Sequence, residues 1–279
     1  MNAAPRTLAS LASQRVAAQG RLAVRFAEGR TRLAELYQEG AAKLRIPRSD
    51  RPDLEAVLIN TAGGLTGGDR LSWHVAVENE AALTVTTQAC EKIYRAAEGQ
   101  AELRSAITVG ANARLAWLPQ ETILYERSAL SRSLDIDLAE SAEALVAEAV
   151  IVGRKAHGET VGRAMLRERW RLRQGGRLVH AEELALGPDV AAQLAAPAGG
   201  NGAGAFATVL LIAGDAEALL APAREIIGDE GGASFWHVGK TGKLLARLVA
   251  EDGYALRRRL VPLLGLLNRR AELPKLWSL

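Results

Sequence analysis

Residues Leu58–Arg95 read LINTAGGLTGGDRLSWHVAVENEAALTVTTQACEKIYR, and this stretch decides the fold. Two glycine pairs, Gly63-Gly64 and Gly67-Gly68, are followed at once by Asp69. Glycine takes φ > 0 without a Cβ penalty, so this is sharply folded backbone and not the interior of an element. Leu71, Trp73, Val75 and Val77 then alternate with polar or small residues, the period of a half-buried strand. Glu78-Asn79-Glu80 turns the chain, and Leu83, Val85 and Thr87 begin a second alternating run. The expected product is a β-meander ending on the polar cluster Gln88, Glu91, Lys92, Tyr94 and Arg95.

Working outward, residues 1–18 hold no steady period and read as a loose tail. Leu22, Val24 and Phe26 form a first strand, Glu28-Gly29-Arg30 turns it, and Leu33 to Tyr37 returns. After the central stretch come Leu103 to Val109, Leu115 with Trp117, Leu134 to Leu138, and the nearly all-apolar run Ala144 to Val152. That last run suits a strand covered on both faces. Leu166, Glu168, Trp170 and Leu172 alternate with four arginines at 167, 169, 171 and 173. Gln174-Gly175-Gly176 turns this strand back through Leu178, His180, Glu182, Leu184 and Leu186. Ten or more short strands with almost no helical period make residues 19–186 a β body. No repeat of fixed length stands out, which speaks against a regular solenoid. Residues 187–205 read as a Gly/Ala-rich loop. Residues 206–279 read as an α/β part with helices at Asp215–Ile227 and Gly253–Leu267, the second expected to kink or split at Pro262. The whole of 19–279 is expected to form one domain.

Composition narrows the function. Hydrophobic residues make up 48% of the 279 residues and the net charge is only +3, an ordinary globular balance. Aromatics are 4%, and basic residues are interspersed with acidic ones, unlike a nucleic-acid stripe. One cysteine, Cys90, excludes an intramolecular disulfide or a Cys-rich metal site; a small core filler is its simplest role. The apolar run at Leu8–Ala12 is too short for a signal peptide, and nothing approaches the ~20 apolar residues of a membrane span. A cytoplasmic protein without a membrane or nucleic-acid partner is expected.

Chemistry-bearing motifs are sparse. The Gly-rich loop leads into a strand and lacks the Lys-Ser/Thr of a phosphate cradle. Ser234 to Thr241 ends in Gly-Lys-Thr, but Ser234 stands where such a loop needs glycine. No Gly-x-Ser-x-Gly nucleophile elbow is present. The four histidines show no ligand spacing. His180 and Glu182 share one strand face, and Glu148 interrupts an apolar run. Buried carboxylates need a partner, so two readings stand: ion pairs with arginines across the sheet, or a way-station for a divalent ion. Asp69 likewise is either a turn-capping residue or a carboxylate aimed at a channel or partner.

Taken together, GGLTGGDR, TQACEKIYR, Leu118-Pro119-Gln120-Glu121-Thr122, and Gly153-Arg154 with Gly158-Glu159 resemble the urease accessory protein UreD (UreH) family. Leu273-Pro274-Lys275-Leu276-Trp277 is a weaker echo. The resemblance implies a mainly β fold, helically wound in layered sheets, with a few α-helices in the C-terminal part. It implies a non-catalytic chaperone that binds the urease apoprotein and recruits UreF and, through it, the GTPase UreG. No cofactor is tightly held; nickel is implied as transient cargo on an interior acidic path. By motif, Asp69, Glu148 and Glu182 are implied for that path, with His180 a weaker companion. Gly63, Gly64, Gly67, Gly68, Lys92, Tyr94, Arg95, Gln120, Glu121, Gly153, Arg154 and Glu159 are implied as structural or partner-binding positions. Departures from the pattern occur at Thr61-Ala62, Leu124–Arg127 and Lys275. Two other readings are a hydrolase using Asp69, Glu121 and His157, and a basic nucleic-acid-binding module.

Overall fold

The computed structural model describes residues 15–155, 158–268 and 271–278. Seventeen strands are arranged in two layered sheets, with the apolar faces of both turned to a shared core. One sheet has seven strands: β1 (Ala17–Ala27), β2 (Arg30–Glu39), β5 (Arg70–Val77), β8 (Ala101–Val109), β11 (Ala129–Leu138), β13 (Met165–Gln174) and β14 (Arg177–Leu186), in the order β14-β13-β11-β8-β5-β1-β2. The other sheet has ten. Its main path takes in β3 (Ala42–Arg45), β4 (Leu54–Asn60), β6 (Ala82–Thr87), β9 (Arg114–Leu118), β12 (Glu143–Val152), β15 (Ala205–Ala213), β16 (Gly231–Val238) and β17 (Thr241–Ala250). Short strands β7 (Glu91–Ile93) and β10 (Thr122–Leu124) extend it in parallel beside β12.

The chain coils. It crosses from one sheet to the other at nearly every turn, so successive coils stack as parallel strands: β4, β6, β9 and β12 on one side, β1, β5, β8, β11 and β13 on the other. The expected meander is therefore corrected. β5 and β6 never pair; the turn after Val77 carries the chain across the core, and each strand pairs only with the coils beside it. Alternation reports one apolar face per strand, and that face is buried equally well across a core as beside a hairpin partner. Coil length explains the silence on repeats. Leu54, Leu83, Leu115 and Ala144 are stacked at separations of 29, 32 and 29 residues. Leu71, Leu103, Arg132 and Glu168 are stacked at 32, 29 and 36.

Antiparallel pairs close both ends of the stack. At one end are β1–β2 and β3–β4; at the other are β13–β14, joined through Gly175-Gly176, and the group β12–β15–β17–β16. The tail boundary shifts: β1 already runs at Ala17, and Ala18 is buried, because the coil that follows offers β5 as a parallel partner from Arg70 onward. Residues 1–14 lie outside the described residues. The loop at 187–205 contains a short helix, α1 (Val190–Ala195), capped by Asp189. A second core lies on the outer face of the ten-stranded sheet under α2 (Leu220–Ile227) and α3 (Gly253–Leu267). Asp252 caps α3, which continues through Pro262 as one helix, with Leu256, Leu260, Leu263, Leu264 and Leu267 buried.

Candidate functional site

The sequence motifs gather into two neighbourhoods on one flank of the coil. In the first, the chain after β6 and the chain after β9 are laid side by side. The Glu91 amide donates to Glu121 O at 3.0 Å, and the Gln120 amide to Thr87 Oγ1 at 2.8 Å. The Cys90 thiol donates to Glu121 Oε2 at 3.3 Å. Glu121 is fully buried, and its charge is met by Arg257 of α3, whose Nε lies 2.8 Å from Oε1. Arg257 also donates to Gln120 Oε1 and lies over the Trp277 ring. Trp277 donates in turn to Leu118 O at 3.0 Å. The C-terminal Leu-Pro-Lys-Leu-Trp motif is thus an anchor that seats α3 against the Leu-Pro-Gln motif.

Below these residues is a cavity of about 150 Å³. Gln88, Ala89 and Lys92 are exposed on its wall, whereas Arg132 and Glu148 are buried there between the sheets. Glu148 faces inward from β12, where its Oε2 lies 2.5 Å from Arg132 Nη1 and its Oε1 accepts the Trp117 indole N–H at 3.0 Å. Arg132 reaches from β11 and also holds Glu168 at 2.6 Å. Trp170 donates to the other oxygen of Glu168 at 2.8 Å. Two buried carboxylates thus share one arginine. Burial raises the Glu148 carboxyl above its usual range, against the pull of Arg132. Near the surface, burial pushes Glu91 up to about 7, while a hydrogen bond from Asn60 opposes the shift. The Cys90 thiol is pushed up to about 12, first by burial and then by the Glu121 charge, so it is a poor nucleophile.

The second neighbourhood is the glycine loop. Leu65 exchanges backbone hydrogen bonds with Lys92 and Tyr94 at 2.8 and 2.7 Å. A Cβ on Gly64 would lie 2.4 Å from the Tyr94 ring, and one on Gly67 would lie 2.0 Å from Glu98 O. Only glycine permits that approach. Both oxygens of Asp69 are used within the fold: Oδ1 accepts the Val16 amide at 2.9 Å and Oδ2 the Thr66 amide at 2.7 Å. Asp69 therefore ties the start of β1 to the loop. Tyr94 donates to Gly63 O and meets Tyr125 edge-on. Arg154, which follows Gly153, covers the Tyr125 face at 4.4 Å and pairs with Glu159 at 2.8 Å.

Glu182 and His180 stand apart, on β14 at the end of the seven-stranded sheet. Arg247 of β17 takes both oxygens of Glu182 at 2.6 and 2.7 Å. Burial lowers the His180 imidazole to about 4, helped by Lys243 and Arg247, so it is neutral at pH 7. Among the described residues, no three His, Cys, Asp or Glu side chains converge on a metal-sized site. The three acidic positions Asp69, Glu148 and Glu182 do not meet. The hydrolase reading needs Asp69, Glu121 and His157 in one pocket. Asp69 and Glu121 lie in separate hydrogen-bond networks, and His157 is outside the described residues.

Arg132, Glu168, Arg247 and Arg257 were not singled out from the sequence. For two of them a signal exists: Arg132 lies in phase with Leu130, Leu134 and Ile136, and Glu168 in phase with Leu166 and Trp170. A charge on the inward phase of a strand marks a buried pair.

The model of the UreD urease accessory protein family matches residues 17–278. The chain belongs to the UreD family. Relatives carrying the name urease accessory protein UreD match it over nearly its full length. The Mesorhizobium japonicum protein is 59% identical over 267 residues, covering 96% of this chain and 95% of that one. UreD 1 of Brucella abortus is 56% identical over 272 residues, covering 98% and 97%. UreD 1 of Brucella anthropi is 56% identical over 275 residues, covering 97% of each. The mainly β, layered coil with a few C-terminal helices is the fold the UreD resemblance implies. No helix among the described residues is long and apolar enough to cross a membrane.

Proposed function

We propose that this chain is a non-catalytic chaperone of urease maturation, acting in the cytoplasm. It binds the urease apoprotein and recruits UreF and, through UreF, the GTPase UreG, while nickel passes as transient cargo. The observation that carries this reading is the family match across residues 17–278. The interior supports its finer part: a cavity runs from the exposed Gln88 and Lys92 to the buried carboxylate of Glu148. A divalent ion at Glu148 competes with Arg132 and the Trp117 N–H for the carboxylate, and binding against that competition is weak enough to release the ion. Asp69, Glu182 and His180 enter this path only if they exchange their present partners.

Co-purification of the chain with UreF and apo-urease, followed by nickel-dependent activation of the purified complex, tests the proposal. Assembly and activation that both require the chain are expected. Activation that proceeds equally without it overturns the reading. Conversion of a substrate by the isolated chain would favour the hydrolase alternative.

A further inference from the structure

Three corner loops carry the chain into the seven-stranded sheet at the starts of β8, β11 and β13, and each brings an arginine to the same place. Arg95, Arg127 and Arg163 are separated by 32 and 36 residues, within the range of one coil, so they are neighbours on successive coils. Backbone hydrogen bonds fix the ladder: Ala96 donates to Arg127 O at 2.9 Å, and Arg127 donates to Arg163 O at 2.6 Å. All three side chains are exposed, and all three line one shallow cleft of about 540 Å³. Parallel strands are about 4.8 Å apart, so three guanidinium groups rise from a base only about 10 Å long.

The acidic residues nearby offset this charge only in part. Glu98 is the one carboxylate on the cleft wall. Glu126 is 3.9 Å from Arg127, but its other oxygen accepts the Gly162 and Arg163 amides at 2.8 and 3.1 Å. Among the described residues, neither Arg95 nor Arg163 has a carboxylate within ion-pair distance. Met165, 38% exposed, and Pro188 give the cleft an apolar floor.

We infer that this arginine ladder is a docking strip for an acidic, extended segment of a partner protein. Guanidinium groups match carboxylates in paired hydrogen bonds. An extended segment presents every second side chain to one face at about 7 Å intervals, within reach of arginines rooted 4.8 Å apart. A single-stranded nucleic acid fits less well, because it needs free aromatic faces for its bases. Here Arg154 covers the Tyr125 face, and Tyr94 is spent on Tyr125 and Gly63. This inference stands independently of the function proposed above.

The test is fluorescence anisotropy of the full chain with a labelled hepta-glutamate peptide and, separately, a labelled seven-nucleotide oligothymidylate, at 50 mM salt. The peptide is expected to bind the wild type more tightly than the oligonucleotide and to weaken as salt is raised to 300 mM. R127E/R163E should bind it at least tenfold more weakly, with an unchanged circular dichroism spectrum. R25E/R45E carries the same charge change at exposed positions elsewhere and should remain within twofold of the wild type. Should charge reversal unsettle the corner, R95Q/R127Q/R163Q gives the same comparison. Equal losses in the ladder and control variants, no peptide binding, or tighter oligonucleotide binding would overturn the inference.

Discussion

Arg132 shows what a buried charge does in this protein. It holds Glu148 and Glu168 from opposite sheets, and two tryptophan N–H groups complete the carboxylates. Removing the arginine leaves two carboxylates uncompensated, so Arg132→Met is expected to cost about 3–5 kcal/mol, measured by urea denaturation. Glu91 gives a prediction with the opposite sign. Its carboxyl is raised from 4.5 to about 7, so the fold favours the neutral form. That contribution is complete below about pH 4.5 and is lost as pH rises through 7. Glu91→Gln should match the wild type at pH 5 and be more stable by about 2–3 kcal/mol at pH 8.5, read from melting curves at the two pH values. Neither residue's partner was legible in the sequence. Arg132 and Glu148 are sixteen residues apart, and the contact exists only because consecutive strands fall in facing sheets.

Elements were legible where local chemistry fixes them. The Gly175-Gly176 hairpin, the span of α3 and the doubly covered β12 all follow from their own residues. Pairing was another matter. A polar turn such as Glu78-Asn79-Glu80 is compatible with a hairpin and with a crossing between sheets, and alternation is the same in both. The C-terminal anchor was visible only as a motif. Its energetics come from Trp277, which is buried, donates to Leu118 O and packs beneath Arg257. Trp277→Ala should cost about 3–5 kcal/mol. It should also raise amide exchange at Leu118–Thr122, because α3 loses the contact that seats Arg257 on Glu121. Loss of stability without that local exchange would mean that the anchor acts elsewhere.

At the scale of the whole molecule, strand count and alternation announced a mainly β architecture, but not its winding. Coils of 29, 32 and 36 residues leave no period for the eye to catch, because each corner loop has its own length. All the parallel pairings but β1–β5 join residues about thirty positions apart, so loops must close before the stacked coils form. Refolding monitored by stopped-flow tryptophan fluorescence is expected to take seconds or longer. The antiparallel pairs at the two ends of the stack carry one more consequence. A pile of parallel coils is a template that a second molecule can extend, and growth of that kind ends in fibres. With the terminal strands turned back on themselves, each copy is a finished block, and a protein built from amyloid-like rungs is kept from becoming a filament.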